Sequence, residues 1–275
     1  MVIFPNCKIN LGLTVDDKRT DGYHNISTVF LPIPLYDALE IIPSKSSINI
    51  QFTQSGKLVD GNSIDNLCVK AAQLLQDLFP EIPPIEIYLH KNIPMGAGLG
   101  GGSSDAAHTL LLMNQLFNLG LSKDKLIQLS LQLGSDCPFF IENKNCFATG
   151  RGEIMSPIEV NLNNNYILLI NPSIHISTAW AFKEITPGSI RVPFKEILKE
   201  EPIKWRKALY NHFEEPVCQK FPEIKTLIDL MYQNGAEYAA MTGTGSTIYG
   251  IFKNPVQPFT SLPSHYFQFT FQVKN

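Results

Sequence analysis

Residues 94–107 read PMGAGLGGGSSDAA, with five glycines among the seven positions from Gly96 to Gly102, then Ser103, Ser104 and an alanine-rich apolar run. Successive glycine amides can turn toward one point, and a helix start adds free N–H groups and the positive end of its dipole. Side chains would block an anion's approach, so the stretch has the chemistry of a backbone cup for phosphate. A tight turn whose glycines serve backbone geometry alone is the other reading these residues allow.

Two familiar phosphate loops share parts of this pattern, and neither fits. Gly96, Gly98 and Gly101 spell G-x-G-x-x-G. A dinucleotide fold then needs a second parallel strand ending in an acidic residue that holds a ribose hydroxyl. Here another helical pattern follows the first. A Walker A loop needs lysine directly after its last glycine, and the glycines here run into serine.

Working outward, Ile3, Pro5, Cys7, Ile9, Leu11, Leu13 and Val15 alternate with Asn6, Lys8, Asn10 and Gly12. That period predicts a half-buried strand over Ile3–Val15 with its polar groups aimed together. Further strands are predicted at 27–33, 37–43, 47–53 and 85–90, between Pro, Gly and Ser punctuation. Leu67, Ala71, Leu74, Leu75 and Leu78 predict an amphipathic helix over Asn66–Phe79. Helices are expected at Ser104–Asn118 and at Ser122–Leu133, the second capped by Ser122, with a third starting near Asp136.

The soft stretch IEVNLNNN at 158–165 is the expected boundary between domains 1–158 and 159–275. Beyond it the pattern predicts a buried strand at 166–171, helices at 203–211 and 222–234, and strands within 236–242, 246–252 and 266–273. Strands and helices mixed without regular alternation predict an α+β fold in both halves.

Composition narrows the function. The 275 residues are 44% apolar and 17% charged, with formal net charge −3 and no run of like charges, which argues against a nucleic-acid partner. Five scattered cysteines (Cys7, Cys68, Cys137, Cys146, Cys218) suggest neither a disulfide framework nor a zinc site, and fit a reducing cytoplasm. The first residues carry no basic leader, and the apolar stretch at Leu110–Met113 is too short to span a bilayer. The expectation is a cytoplasmic protein that neither enters nor binds a membrane.

Four more motifs keep the glycine loop company: NCKINLGL at 6–13, RTDGYHNISTVF at 19–30, LGSDCPFF at 133–140 and MTGTGSTIY at 241–249. In this order the set resembles the GHMP kinases, named for galactokinase, homoserine kinase, mevalonate kinase and phosphomevalonate kinase. Within them it is most similar to the branch that phosphorylates the 2-hydroxyl of a cytidine-diphosphate-linked methylerythritol. The matches run from residue 6 to about 250. The resemblance implies a two-subdomain α+β fold, an N-terminal half like ribosomal protein S5 domain 2 and a ferredoxin-like C-terminal half, with the active site in the cleft.

The resemblance also implies residue roles. ATP would be held by Pro94, Met95, Gly96, Ala97, Gly98, Leu99, Gly100, Gly101, Gly102, Ser103 and Ser104, with Gly243 and Gly245 from the last motif. Phosphoryl transfer needs alignment, charge neutralisation and a destination for the hydroxyl proton, and Lys8 and Asp136 match the pair that supplies these. Tyr23 and Phe182 would sandwich the cytosine, His24 would bond its edge, and Asn10 and Thr178 would meet the rest of the substrate. Mg2+ accompanies ATP, with its ligands unassigned.

Taken singly, these residues have plainer readings. Lys8 suits a solvated strand face, Asp136 before Pro138 an N-cap, Tyr23 and Phe182 simple packing, and Gly243 and Gly245 a hairpin turn. A sibling kinase acting on homoserine, mevalonate or a sugar, or a nucleotide-binding module without transfer activity, also stays open. The expected assembly is a monomer or weak homodimer taking a small-molecule substrate.

Overall fold

The computed structural model describes residues 1–57, 65–162, 164–188 and 192–273. The predicted strand over Ile3–Val15 divides in two, because Pro5 offers no amide to a ladder. β1 (Val2–Ile3) and β2 (Asn6–Lys18) join different sheets. β2 lies beside β3 (His24–Tyr36), and its expected solvent face is instead enclosed: Asn6, Lys8, Asn10 and Thr14 are all buried. Burial on this scale requires partners for each polar group; those of Lys8 and Asn10 are described below.

The chain clusters into two units. The first takes Met1–Lys8, Pro32–Met95 and Gly100–Lys144; the second takes Ile9–Leu31, Gly96–Leu99 and Asn145–Asn275. In the first, β4 (Ala38–Pro43), β5 (Ile50–Gly56) and β6 (Ile85–Lys91) form a sheet in the order β1-β4-β6-β5. Antiparallel pairing sets Leu39 opposite Leu89 and Ile41 opposite Ile87, all buried, each contributing roughly 2 kcal/mol of apolar burial. β5 starts three residues later than its apolar pattern predicts, since its parallel pairing with β6 begins at Ile50 opposite Ile85.

Of the four helices described in this unit, three follow the sequence pattern closely. Asn66 caps α1 (Leu67–Leu78) by accepting from the Cys68 amide, and Ser122 caps α3 (Lys123–Leu133) by accepting from the Lys125 amide. α2 (Gly101–Leu116) packs on α1, α3 and α4 (Cys137–Glu142). Its start at Gly101 rather than Ser104 departs from the prediction, because glycine propensity argues against helix. Packing overrides propensity there: a Cβ on Gly101 would lie 3.0 Å from Ile93 Cγ2 and 3.4 Å from Lys91 Nζ.

The second unit carries two sheets. One runs β2-β3-β7-β8, with β7 (Cys146–Thr149) and β8 (Ile154–Pro157). The other is antiparallel throughout in the order β10-β11-β9-β12, with β9 (Tyr166–Asn171), β10 (Tyr238–Met241), β11 (Ile248–Phe252) and β12 (Phe267–Gln272). Its core joins Leu168, Ile170, Met241 and Ile248 to Val217, Ile224, Leu227 and Met231 on α8 (Glu214–Lys220) and α9 (Pro222–Gln233). Shorter helices precede these: α5 (Thr178–Lys183), α6 (Phe194–Ile197) and α7 (Pro202–Trp205).

The helix predicted at 203–211 therefore shrinks to a single turn. The chain beyond it is pulled into a bridge with β2, where the Leu13 amide donates to the Tyr210 carbonyl and the His212 amide to the Leu13 carbonyl, both at 2.8 Å. All five cysteines are free, and no described helix is long and apolar enough to cross a membrane.

Candidate active site

Gly100 occupies the N-cap of α2 at φ 70°, and it has no side chain to turn back on the helix. The first helical bond runs from the Ser104 amide to the Gly100 carbonyl at 2.9 Å, so the amides of Gly101, Gly102 and Ser103 lie outside the helix's own ladder. A Cβ on Gly100 would meet Phe140 Cζ at 3.0 Å and Lys8 Cε at 3.1 Å, which places the lysine stem directly against the helix start. Lys8 Nζ lies 3.3 Å from Asp136 Oδ2.

Asp136 stands at the N-cap position of α4, followed by Pro138 in the first turn, as its sequence context suggests. Its backbone is nevertheless helical, at φ −85° and ψ −12°, and its side chain makes no capping bond. The carboxylate turns to Lys8 instead and keeps 31% of its side chain exposed, against 4% for the lysine. Of the two serines after the glycines, Ser103 is half-buried and Ser104 wholly buried. Ser104 faces inward, its hydroxyl 3.2 Å from His108 Nδ1 one turn along the helix, so its side chain serves the core rather than the loop.

Below the first turn of α2 lies a second charged group. Lys91 donates to both Asp37 and Asp105, the latter at 2.6 Å, and side-chain exposure is no more than 3% across the three. Asp37 also accepts from the Asn92 and Ile93 amides, at 2.6 and 2.9 Å. Burial pushes the Asp105 carboxyl up to about 7; Lys91 opposes the shift and Asp37 adds to it. Burial alone would lower the lysine, but the two carboxylates overcome that and raise it.

The second unit holds the other half of the glycine loop. Gly98 sits at φ +76°, and a Cβ there would lie 2.2 Å from the Thr242 carbonyl oxygen, a position only glycine can fill. The Thr242 hydroxyl lies 3.2 Å from both the Gly98 carbonyl and Asn10 Oδ1, and it accepts from the Asn10 amide at 2.9 Å. Asn10 Nδ2 donates to Thr28 Oγ1 at 3.0 Å. Asn211 Nδ2 then holds the carbonyls of Met241 and Gly243, at 2.7 and 2.9 Å, on the other side of the turn. Loop and turn thus form one hydrogen-bonded body.

Within it Gly243 faces Gly98, its built Cβ falling 3.2 Å from the Gly98 Cα, whereas Gly245 packs against Met241 and Ile176. Thr178 reaches the Thr244 hydroxyl at 3.4 Å. Asn10, predicted as a substrate contact, has its amide engaged by Thr28 and Thr242. Thr242 belongs to the quoted TGTGST stretch yet escapes residue-by-residue prediction, and no local pattern marks Asn211.

The expected aromatic partners are arranged differently from a simple Tyr23–Phe182 pair. The His24 ring stacks on Phe182 at 4.7 Å and 19°, and Phe182 meets Phe213 edge-on at 4.9 Å. Tyr23 is 51% exposed and lies under the guanidinium of Arg151, 3.7 Å from its ring centre. Its backbone is braced from both sides: the Tyr23 amide donates to Asp21 at 3.1 Å, and its carbonyl accepts from the Arg19 amide at 2.8 Å.

Comparison with known proteins places this geometry. The model of the GHMP kinases N terminal domain matches residues 66–144, and that of the GHMP kinases C terminal domain matches 194–258. The chain is 49% identical to the 4-diphosphocytidyl-2-C-methyl-D-erythritol kinase of Cytophaga hutchinsonii, over 94% of this chain and 95% of that one. It is 46% identical to the Bacteroides fragilis protein of the same name, over 95% of each. A crystal structure of 4-(cytidine 5'-diphospho)-2C-methyl-D-erythritol kinase superposes with TM-score 0.78 at 31% identity, covering 91% of this chain and 90% of that one. The chain belongs to the GHMP kinases, in the branch of the 4-diphosphocytidyl-2-C-methyl-D-erythritol kinases.

Proposed function

We propose that the chain transfers the γ-phosphoryl group of ATP to the 2-hydroxyl of 4-diphosphocytidyl-2-C-methyl-D-erythritol, giving the 2-phosphate and ADP on the non-mevalonate route to isoprenoids. The observation that carries the chemistry is the Lys8–Asp136 pair, 3.3 Å apart beside the uncapped start of α2. The choice of alcohol rests on the names of relatives that match nearly the whole chain.

In this reading the amides of Gly101, Gly102 and Ser103 bind phosphate oxygens, where the helix dipole favours negative charge. Lys8 neutralises charge on the transferring group. Asp136, the more exposed of the two, accepts the proton of the substrate hydroxyl as the new P–O bond forms and the γ-phosphate leaves ADP. Asn10 and Thr242 position the Gly98 end of the loop, a role their mutual hydrogen bonds support. Gly243 faces the loop, while Gly245 and Ser104 contribute through packing.

Among the described residues no three His, Cys, Asp or Glu side chains cluster as metal ligands. Mg2+ would enter with the nucleotide and supply charge neutralisation on its phosphates. Tyr23, His24 and Phe182 offer flat surfaces to the cytosine, and the His24 ring already covers one face of Phe182. A monomer or weak homodimer in a reducing cytoplasm fits five free cysteines.

The test is turnover with radiolabelled ATP across a panel holding the cytidylated substrate, mevalonate and homoserine. Strong preference for the cytidylated alcohol is expected. Comparable rates with mevalonate or homoserine would overturn the assignment.

A further inference from the structure

Tyr23 stands at the tip of the β2–β3 hairpin, half-exposed, where a phenol ring ordinarily has rotational freedom to lose on binding. Here one of its faces is already covered. Arg151 lies on the turn between β7 and β8, and its guanidinium sits 3.7 Å from the ring centre. We propose that Arg151 is a positioning residue for substrate recognition, fixing Tyr23 as one wall of the base-binding site; this rests on the reading that Tyr23 meets the cytosine.

The sheet itself delivers the arginine to the ring. β7 pairs with β3 through Thr28 opposite Ala148, and the Ile26 amide donates to the Gly150 carbonyl at 2.7 Å, so the turn is in register with the hairpin tip. The Arg151 amide donates to Glu153 Oε2 at 2.5 Å, which closes the turn around its own acidic residue. On the other side, Arg19 binds Asp21 at 3.0 Å and Asn25 at 3.0 Å, bracing the loop that carries Tyr23.

A guanidinium is planar and always charged, and it stacks on an aromatic face while leaving the opposite face open to a flat ligand. The ring is thereby ordered before substrate arrives, so less freedom is lost on binding. In this proposal Arg151 acts on the base through Tyr23 alone, which predicts an effect confined to the cytidine end.

The test uses the full chain, with steady-state kinetics on the cytidylated substrate and calorimetry with cytidine 5'-diphosphate. Arg151→Ala is expected to raise both the KM for that substrate and the Kd for the diphosphate about two- to fivefold, the range of an exposed cation–π contact, with kcat and the KM for ATP unchanged. Arg151→Lys keeps the charge but not the planar stack, so it should recover only part of the loss. Combining Arg151→Ala with Tyr23→Ala should bind no more weakly than Tyr23→Ala alone, since the arginine then has no ring to hold. Unchanged binding in Arg151→Ala, tighter binding because the guanidinium covers the base's own face, or losses that multiply in the double variant would each overturn the proposal. Wild-type turnover separates the two readings: a chain that prefers another alcohol loses the assigned substrate and this inference with it, whereas normal turnover with an indifferent Arg151→Ala removes the inference alone.

Discussion

Two lysine–carboxylate groups flank the start of α2, and they are built to opposite specifications. Lys8 faces one carboxylate at 3.3 Å, and that carboxylate keeps 31% of its side chain in solvent. Lys91 is gripped by two, with side-chain exposure of 3% or less throughout. A loose pair with one exposed partner can exchange its contact for a substrate hydroxyl and a phosphate. A closed triad has no such freedom: removing either sign strands a buried charge. On the proposed reading, the same chemical components serve transfer in one place and support of α2 in the other, and exposure of the carboxylate separates the two roles.

The sharpest way to break this contrast is to remove each lysine. Lys8→Ala, or Asp136→Ala, is expected to lower kcat by roughly 100- to 10,000-fold, the span of a lost general base or charge-stabilising group. The melting temperature should fall less than in the closed triad, because Asp136 keeps 31% of its side chain in solvent. A full-rate variant, or one that unfolds, would erase the distinction. Lys91→Met should do the reverse, costing about 3–5 kcal/mol in urea denaturation by leaving Asp37 and Asp105 buried without a counter-ion. Unchanged stability there would mean that the triad does not support the helix.

Much of this was legible in the sequence because its causes are local. The cap at Ser122, the period of α1 and the strand at 166–171 each follow from neighbours a few residues away. The glycine run beside a helix start was readable for the same reason. Long-range contacts were not: Thr242 reaches Gly98 across 144 positions and Lys91 reaches Asp37 across 54, and no window of sequence carries either pairing. Tertiary ties also overrode local signals. The chain at 206–211 left its helical pattern to bridge β2, Gly101 and Gly102 entered a helix that their propensity opposes, and Asp136 stood at an N-cap without capping. Each departure from a local signal lies where a more distant group competes with the local preference, and two of the three lie in the candidate site.

The smallest expected effect probes the closed triad from its acidic side. In the folded chain the Asp105 carboxyl is raised to about 7 from an ordinary value near 3.8, with burial as the leading cause. The folded state thus holds this proton more tightly than the unfolded one. The associated stability is complete below about pH 4 and is lost as pH climbs through 7. Asn at this position keeps an oxygen for Lys91 and cannot titrate. Asp105→Asn should therefore gain on the wild type between pH 5 and pH 8 by on the order of 1 kcal/mol or more, read as the difference in urea midpoints at the two pH values. The same variant leaves Lys8 and Asp136 in place, so its kcat should follow the wild-type pH profile. A stability gap identical at both pH values would mean that Asp105 stays ionised throughout, with Lys91 able to balance two buried carboxylates at once.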